Sequence, residues 1–113
     1  MSRRKKTPLN YWQTASPYGD EKYFVRLGAT LLQSEAFLKL SNKAKIAYIY
    51  MIAAAKDGAE FIFPAREHAR IMARATFAAA KRELIEAGFI TEKENGYTER
   101  KETIYRFSLN WRR

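Results

Sequence analysis

Residues 63–90 read FPAREHARIMARATFAAAKRELIEAGFI, and this stretch decides the fold. Pro64 ends whatever strand precedes it, because proline offers no N–H to a ladder. Ala65 to Met72 reads as a short helix. Arg74 and Ala75 read as a turn, and Thr76 as the cap of a second helix from Phe77 to Ala87. Gly88 stops that helix. Phe77, Ala80 and Leu84 recur at spacings of three and four, the period of an inward helix face. Ala78, Ala79, Arg82 and Glu86 lie outward, with Lys81 at the margin.

Two strands are expected downstream. Phe89-Ile90-Thr91 begins the first. Thr103 to Trp111 forms the second, with Tyr105, Phe107, Leu109 and Trp111 on one face and Arg106, Ser108 and Asn110 on the other. Asn95-Gly96 is by itself a two-residue hairpin signal. A tight turn there pairs Ile90 with Lys101 and leaves the apolar stretch 104–111 without a partner. Pairing the apolar ends puts the centre near Tyr97, so the loop is expected to run from about Lys93 to Lys101, with Gly96 near its tip.

Upstream, Glu60-Phe61-Ile62-Phe63 is a short β-type run. Before it, Ser41 caps a long helix from about Asn42 to Lys56, ended by Asp57-Gly58 with the glycine in the left-handed position. Ala44, Ala47, Tyr48, Met51 and Ala55 share one face. Ile46, Ile49, Tyr50 and Ala53 occupy the other, so the helix is apolar nearly all round and is expected to be covered on two sides. Its second cover is either the segment before it or another copy of the protein. Ser34 caps a short helix through Leu40, with Phe37 and Leu40 inward. Val25, Leu27, Ala29 and Leu31 suggest a short extended segment. Residues 1–23, with Pro8, Pro17, Gly19 and no apolar period, read as a flexible or loosely docked arm. Residues 24–113 then form one domain, mainly α with a small antiparallel β wing.

Composition narrows the function. The 113 residues include 21 Lys plus Arg against 12 Asp plus Glu, a net charge of +9. A basic excess of this size on a small domain points to a polyanion, most often nucleic acid. With no cysteine, disulfide scaffolds, thiolate metal sites and thiol nucleophiles are excluded. The longest uncharged apolar run, Ile46 to Ala55, falls short of a membrane span. Ser2-Arg3-Arg4-Lys5-Lys6 leads into TPLNYWQT instead of an apolar stretch, so no secretory leader is expected and the expected location is cytoplasmic.

A short helix, a tight turn and a second capped helix make a helix-turn-helix, and a β-hairpin directly after it makes the motif winged. A helix of this width fits the major groove of DNA, and the free N–H groups at its start favour a phosphate. FVRLGATLL, LSNKAKIAYIYM and FPAREHARIMARATFAAAKRELIEAGFI together resemble the winged-helix domain of plasmid and mobile-element replication initiators, and of small helix-turn-helix regulators carried on such elements. The resemblance covers Phe24 to Trp111. Its most specific part is Thr76-Phe77, Ala80, Leu84 and Gly88-Phe89-Ile90. It implies non-enzymatic binding of double-stranded DNA, in replication initiation or transcriptional control.

Carried over by position, the resemblance gives Arg66 and Arg70 phosphate contacts. Arg74, Thr76, Ala78, Ala79, Lys81 and Arg82 then belong to the recognition helix. Arg74 and Arg82 are the two able to grip guanine bidentately, while Ala78 and Ala79 can pack on a thymine methyl. Modest base readout and a large phosphate share are expected. The wing candidates are Lys93, Asn95, Tyr97, Arg100 and Lys101. Glu92, Glu94, Glu99 and Glu102 are interleaved with them and bring the wing near neutrality. Arg3, Arg4, Lys5 and Lys6 are the arm's candidates, for a minor groove or a run of phosphates.

Other residues carry plainer readings. Tyr11, Trp12 and Tyr18 are expected to pack on the domain, with base stacking as their other use. His68, the lone histidine, reads as structural. Glu83 and Glu86 read as solvated surface charges. No metal site, cofactor or small-molecule ligand is expected, and nothing in the chain assembles a nucleophile, base and oxyanion site. The rival to DNA binding is a protein-docking module, with a homodimer through the helix 42–56 as its simplest form.

Overall fold

Serines set where two of the helices begin, as the sequence leads one to expect. The computed structural model describes residues 9–16, 24–94 and 102–112. After the first helix α1 (Ala29–Gln33), the Ser34 hydroxyl accepts from the Phe37 N–H at 3.2 Å and opens α2 (Glu35–Leu38). The Ser41 hydroxyl accepts from the Ala44 N–H at 3.3 Å and opens α3 (Asn42–Ala55). Each such cap satisfies an N–H that the helix itself cannot.

The extended segment expected around residues 25–31 is instead, from Ala29 on, the helix α1. Leu31 and Leu32 N–H both donate to the Gly28 carbonyl, at 3.1 and 3.3 Å. The alternating pattern there has no strand to pair with, and an unpaired backbone closes on itself.

Helix α3 buries Ala44, Ala47, Tyr48 and Met51, the face read from its spacing. Among the described residues its other face is only partly covered: Ile49 and Ala53 are half-buried, while Ile46 and Tyr50 are 45% and 49% exposed. The helix stops differently from expectation. Lys56 and Asp57 take the left-handed conformation, at φ 51° and 70°, while Gly58 does not. Gly58 sits there for space, since a Cβ on it would lie 3.1 Å from the Ala55 carbonyl oxygen.

Strand β1 (Glu60–Ile62) leads through Pro64 into α4 (Ala65–His68). This helix is shorter than the expected Ala65 to Met72. Its continuation breaks into turns, with the Ile71 and Met72 N–H both donating to the His68 carbonyl at 3.1 Å. Helix α5 (Arg74–Ala87) starts earlier than expected. Ala73, not Thr76, is its N-cap, and Arg74 and Ala75 are helical rather than a turn. Both are good helix formers, so nothing local halts the helix before Ala73. Gly88 ends it as expected, at φ 89°.

Strands β2 (Ile90–Glu94) and β3 (Ile104–Phe107) pair antiparallel, with Ile90 opposite Phe107 and not Lys101. The apolar ends therefore meet, as reasoned, though the centre lies a little beyond Tyr97. Lys93 is in the strand and not in the loop, and the ladder is irregular between Glu92 and Glu94. The expected loop tip at Gly96 lies outside the described residues. Strand β1 pairs with the other edge of β3, giving the order β1-β3-β2.

The second strand is shorter than the expected Thr103 to Trp111. After Phe107 the Ser108 N–H donates to the Phe89 carbonyl at 2.9 Å, and the Asn110 N–H donates to the Ser108 hydroxyl at 3.1 Å. These bonds turn the chain into a 3-10 turn (Asn110–Arg112). Leu109 is left 60% exposed, while Trp111 stacks on Phe89 at 5.2 Å and 3°.

The architecture is α+β: five helices and one three-stranded antiparallel sheet among the described residues. One core joins them. Ala44, Ala47 and Ala80 are fully buried and let α3 and α5 approach closely. Phe37, Tyr48, Phe61, Phe89 and Phe107 form a run of ring contacts from the helices to the sheet. Tyr11 and Trp12, expected to pack on this body, do not: they are 87% and 69% exposed in a 3-10 turn (Tyr11–Gln13). Tyr18 lies outside the described residues.

Candidate nucleic-acid interface

The residues that carry the charge argument fall into two groups once their partners are seen. Arg74 is the first residue of α5, and Ala78 and Arg82 follow it at intervals of four. All three are exposed. Four residues per step keeps them on one stripe of the helix, and the stripe spans about 12 Å from Arg74 to Arg82. Ala79 and Thr76 are half-buried beside it. Arg70 is exposed on the turn between α4 and α5. Arg70, Arg74 and Arg82 make no ion pair among the described residues.

Arg66, Lys81 and Lys93 are already committed. Arg66 Nη1 lies 3.1 Å from Glu102 Oε2. Lys93 Nζ lies 3.3 Å from Glu60 Oε1, and the same carboxylate takes Arg106 at 2.7 Å. Lys81 Nζ lies 3.2 Å from Glu92 Oε2 and 5.9 Å from the centre of the Tyr105 ring. Burial works against the charge on Lys81, but the Tyr105 oxygen and Glu92 outweigh it and raise its pKa above the ordinary lysine value. Lys81 therefore holds α5 to the sheet and stays charged. Asn95, Tyr97, Arg100 and Lys101, like Arg3, Arg4, Lys5 and Lys6, lie outside the described residues.

The two long helices begin in opposite electrostatic settings. The N-terminus of α3 is fully dressed. Ser41 caps it, and Glu83 of α5 accepts both the Ser41 N–H and the Ser41 hydroxyl, each at 2.7 Å. A carboxylate there also complements the positive end of the helix dipole. The N-terminus of α5 has neither. Ala73 provides no side-chain hydrogen bond, its first turn holds no acid, and Arg74 adds a cation where the dipole disfavours one. The opening N–H groups of α5 and the Arg74 guanidinium are thus left for solvent or for an anion.

A cleft of about 610 Å³ adjoins this end of α5. Arg66, Arg74, Lys81 and Ala78 line it together with Thr103, Tyr105 and Glu102 at the start of β3. Glu102 is the acid in this otherwise basic wall. His68 forms part of the floor, stacked on Phe77 at 4.0 Å and 6°. It is buried, and its Nδ1 has no hydrogen-bond partner among the described residues. Burial, then the positive charges of Arg74 and Lys81, push its pKa below the ordinary histidine value. A neutral imidazole between Phe63 and Phe77 acts here as an aromatic ring that joins α4 to α5.

Three roles were not readable from sequence. Glu83, read as a solvated charge, clamps α3 to α5 from 42 residues away. Glu102, counted only as a neutraliser, tethers Arg66. Glu60 gathers Lys93 and Arg106 on the outer face of the sheet, and those hydrogen bonds hold its carboxyl below the ordinary range. No local spacing signals such pairs, because each joins separate elements.

No group of three His, Cys, Asp or Glu residues able to hold a metal occurs among the described residues, and no helix there is long and apolar enough to cross a membrane. No family model matches the chain, and neither a curated protein nor a solved structure matches it.

Proposed function

We propose that this protein binds duplex DNA without a catalytic step, using α4, the turn and α5 as a helix-turn-helix and the β2–β3 pair as its wing. One observation carries the reading. Among the described residues, Arg74 and Arg82 are exposed and unpaired along one stripe of a long helix whose N-terminus is undressed, and Arg70 is exposed on the turn before it, while Arg66 and Lys81 face carboxylates. A 14-residue helix with a 12 Å charged stripe has the width and reach for a major groove roughly 12 Å across. Arg74 and Arg82 would grip phosphate or guanine, Ala78 and Ala79 would let the backbone approach, and Arg70 would hold a flanking phosphate. Arg66 contributes less, since it must first leave Glu102. On the resemblance over residues 24–111, such binding would serve replication initiation or transcriptional control on a plasmid or mobile element.

Charge reversal tests the reading. Arg74→Glu and Arg82→Glu are each expected to weaken duplex binding by at least about tenfold, while Arg66→Ala costs under about threefold. Unchanged affinity in both reversals would remove α5 as the reader.

A second reading has its own observation. Ile46 and Tyr50, half exposed on an otherwise apolar helix, favour docking of α3 against a second copy. Self-association abolished by Ile46→Glu is the outcome expected of it, and a monomer at micromolar concentration counts against it.

A further inference from the structure

We propose that Tyr11 and Trp12 form a stacking platform for the unpaired bases of single-stranded nucleic acid. These are the two most exposed large apolar side chains among the described residues, at 87% and 69%. The next most exposed rings, Tyr50 and Phe24, are at 49% and 44%, and the second tryptophan, Trp111, lies flat on Phe89. The turn that carries the pair is closed by its own hydrogen bonds. The Asn10 N–H donates to Gln13 Oε1 at 2.7 Å, and the Gln13 N–H returns to the Asn10 carbonyl at 2.9 Å. The two rings meet edge to face, 5.0 Å apart and at 84°.

That geometry selects the ligand. Crosswise rings cannot both lie on one flat apolar surface, whether of a protein or a bilayer. Each can offer a face to an inserted base, and every base has a π-face to meet it. In a duplex the bases cover one another, so the free faces belong to unpaired strands. Of the flanking residues, Asn10, Gln13, Thr14 and Ser16 are polar, and Leu9 and Ala15 alone give no sustained amphipathic stripe for lipid. The sequence carries Arg3, Arg4, Lys5 and Lys6 just before the turn and no acid ahead of Asp20, the charge that a phosphate backbone requires. The platform uses no residue of the α5 face, and either can fail alone.

Tryptophan emission reads the platform directly. In a Trp111→Phe background Trp12 is the sole indole. Titration with a thymidine oligomer of about twelve nucleotides is expected to quench it saturably. Trp12→Ala is expected to lower oligomer affinity about tenfold, Trp12→Leu equally, and Trp12→Phe by much less, because stacking needs a ring and not mere apolar bulk. Duplex affinity, read in the same proteins, should move by less than about twofold. The proposal is overturned if Trp12→Ala binds the oligomer as the parent does, or if Trp12→Leu restores binding. It is also overturned if phosphatidylserine vesicles quench Trp12 while the oligomer does not. Loss of duplex binding in Arg74→Glu with oligomer quenching intact would show the two sites to be independent.

Discussion

Gly88 combines two constraints that are usually separate. Its φ of 89° is a conformation that L side chains rarely adopt, and a Cβ on it would lie 2.8 Å from the Trp111 nitrogen and 2.9 Å from the Asn110 Cβ. The residue both ends α5 and gives the C-terminal turn room to close over Phe89. Gly88→Ala is therefore expected to cost about 2 kcal/mol or more, near 10 °C in a thermal melt. A melt within a degree or two of the parent would contradict that close approach. His68 gives a pH signature at the same scale. Its folded-state pKa lies below the ordinary value, so the unfolded chain takes up the proton first. Its contribution is full above about pH 6.5 and is lost as pH falls through the lower, folded value. The slope is at most one proton, about 1.4 kcal/mol per pH unit. Denaturant melts from pH 7 to pH 5 should show this loss in the parent and not in His68→Phe. Equal slopes in the two proteins would mean that the imidazole is not buried neutral.

The clamp between helices belongs to the next scale. Glu83 accepts two hydrogen bonds from Ser41 and so ties the start of α3 to the middle of α5. Burial raises its pKa, but the two Ser41 bonds and nearby Lys43 outweigh that and hold its carboxyl below the ordinary range. The stabilisation is thus present above the ordinary carboxylate range and fades as acid protonates it. Glu83→Ala is expected to cost about 1–3 kcal/mol by chemical denaturation, and Ser41→Ala about 1 kcal/mol. The double variant should cost less than the two single changes together, since they share one contact. What the sequence makes legible divides along the same line. Caps at Ser34 and Ser41, the Phe77–Ala80–Leu84 face and the Gly88 stop are local signals, and all are present. Pairing the apolar ends rightly rejected Lys101 as the partner of Ile90, but a centre near Tyr97 implies Ile104, and the observed partner is Phe107. The start of α5 was misplaced because Thr76 is a good cap residue inside a run that prefers helix, and propensity prevailed. The partner of β1 and the Glu83 clamp were not legible. Each depends on which distant element lies opposite, and residue spacing does not encode that. The exposure of Tyr11 and Trp12 was not legible either: hydrophobicity favours burial, and spacing does not show that both rings stay 87% and 69% exposed.

At the scale of the molecule the question is where the +9 charge acts. Among the described residues, the folded body pairs several of its own cations with Glu60, Glu92 and Glu102, and leaves Arg74 and Arg82 unpaired along α5 with Arg70 on the turn before it. Net charge alone would attract any polyanion weakly. A grouped set of uncommitted guanidinium ions beside a groove-sized helix is what turns attraction into docking. The candidate site was legible from sequence as a list of residues, but not as a division between free and committed cations, because that division comes from carboxylates on other elements.

The most direct test is anisotropy of a labelled duplex titrated with the protein from low to physiological salt. The duplex reading expects log affinity to fall linearly with log salt, with a slope of about −3 or steeper, corresponding to at least about three phosphates neutralised at roughly 0.9 each. Arg74→Glu should make that slope shallower by about one or more. No binding at low salt, or a slope that Arg74→Glu and Arg82→Glu leave unchanged, would contradict the assignment of α5 to the groove and leave the open face of α3 as the surface to follow.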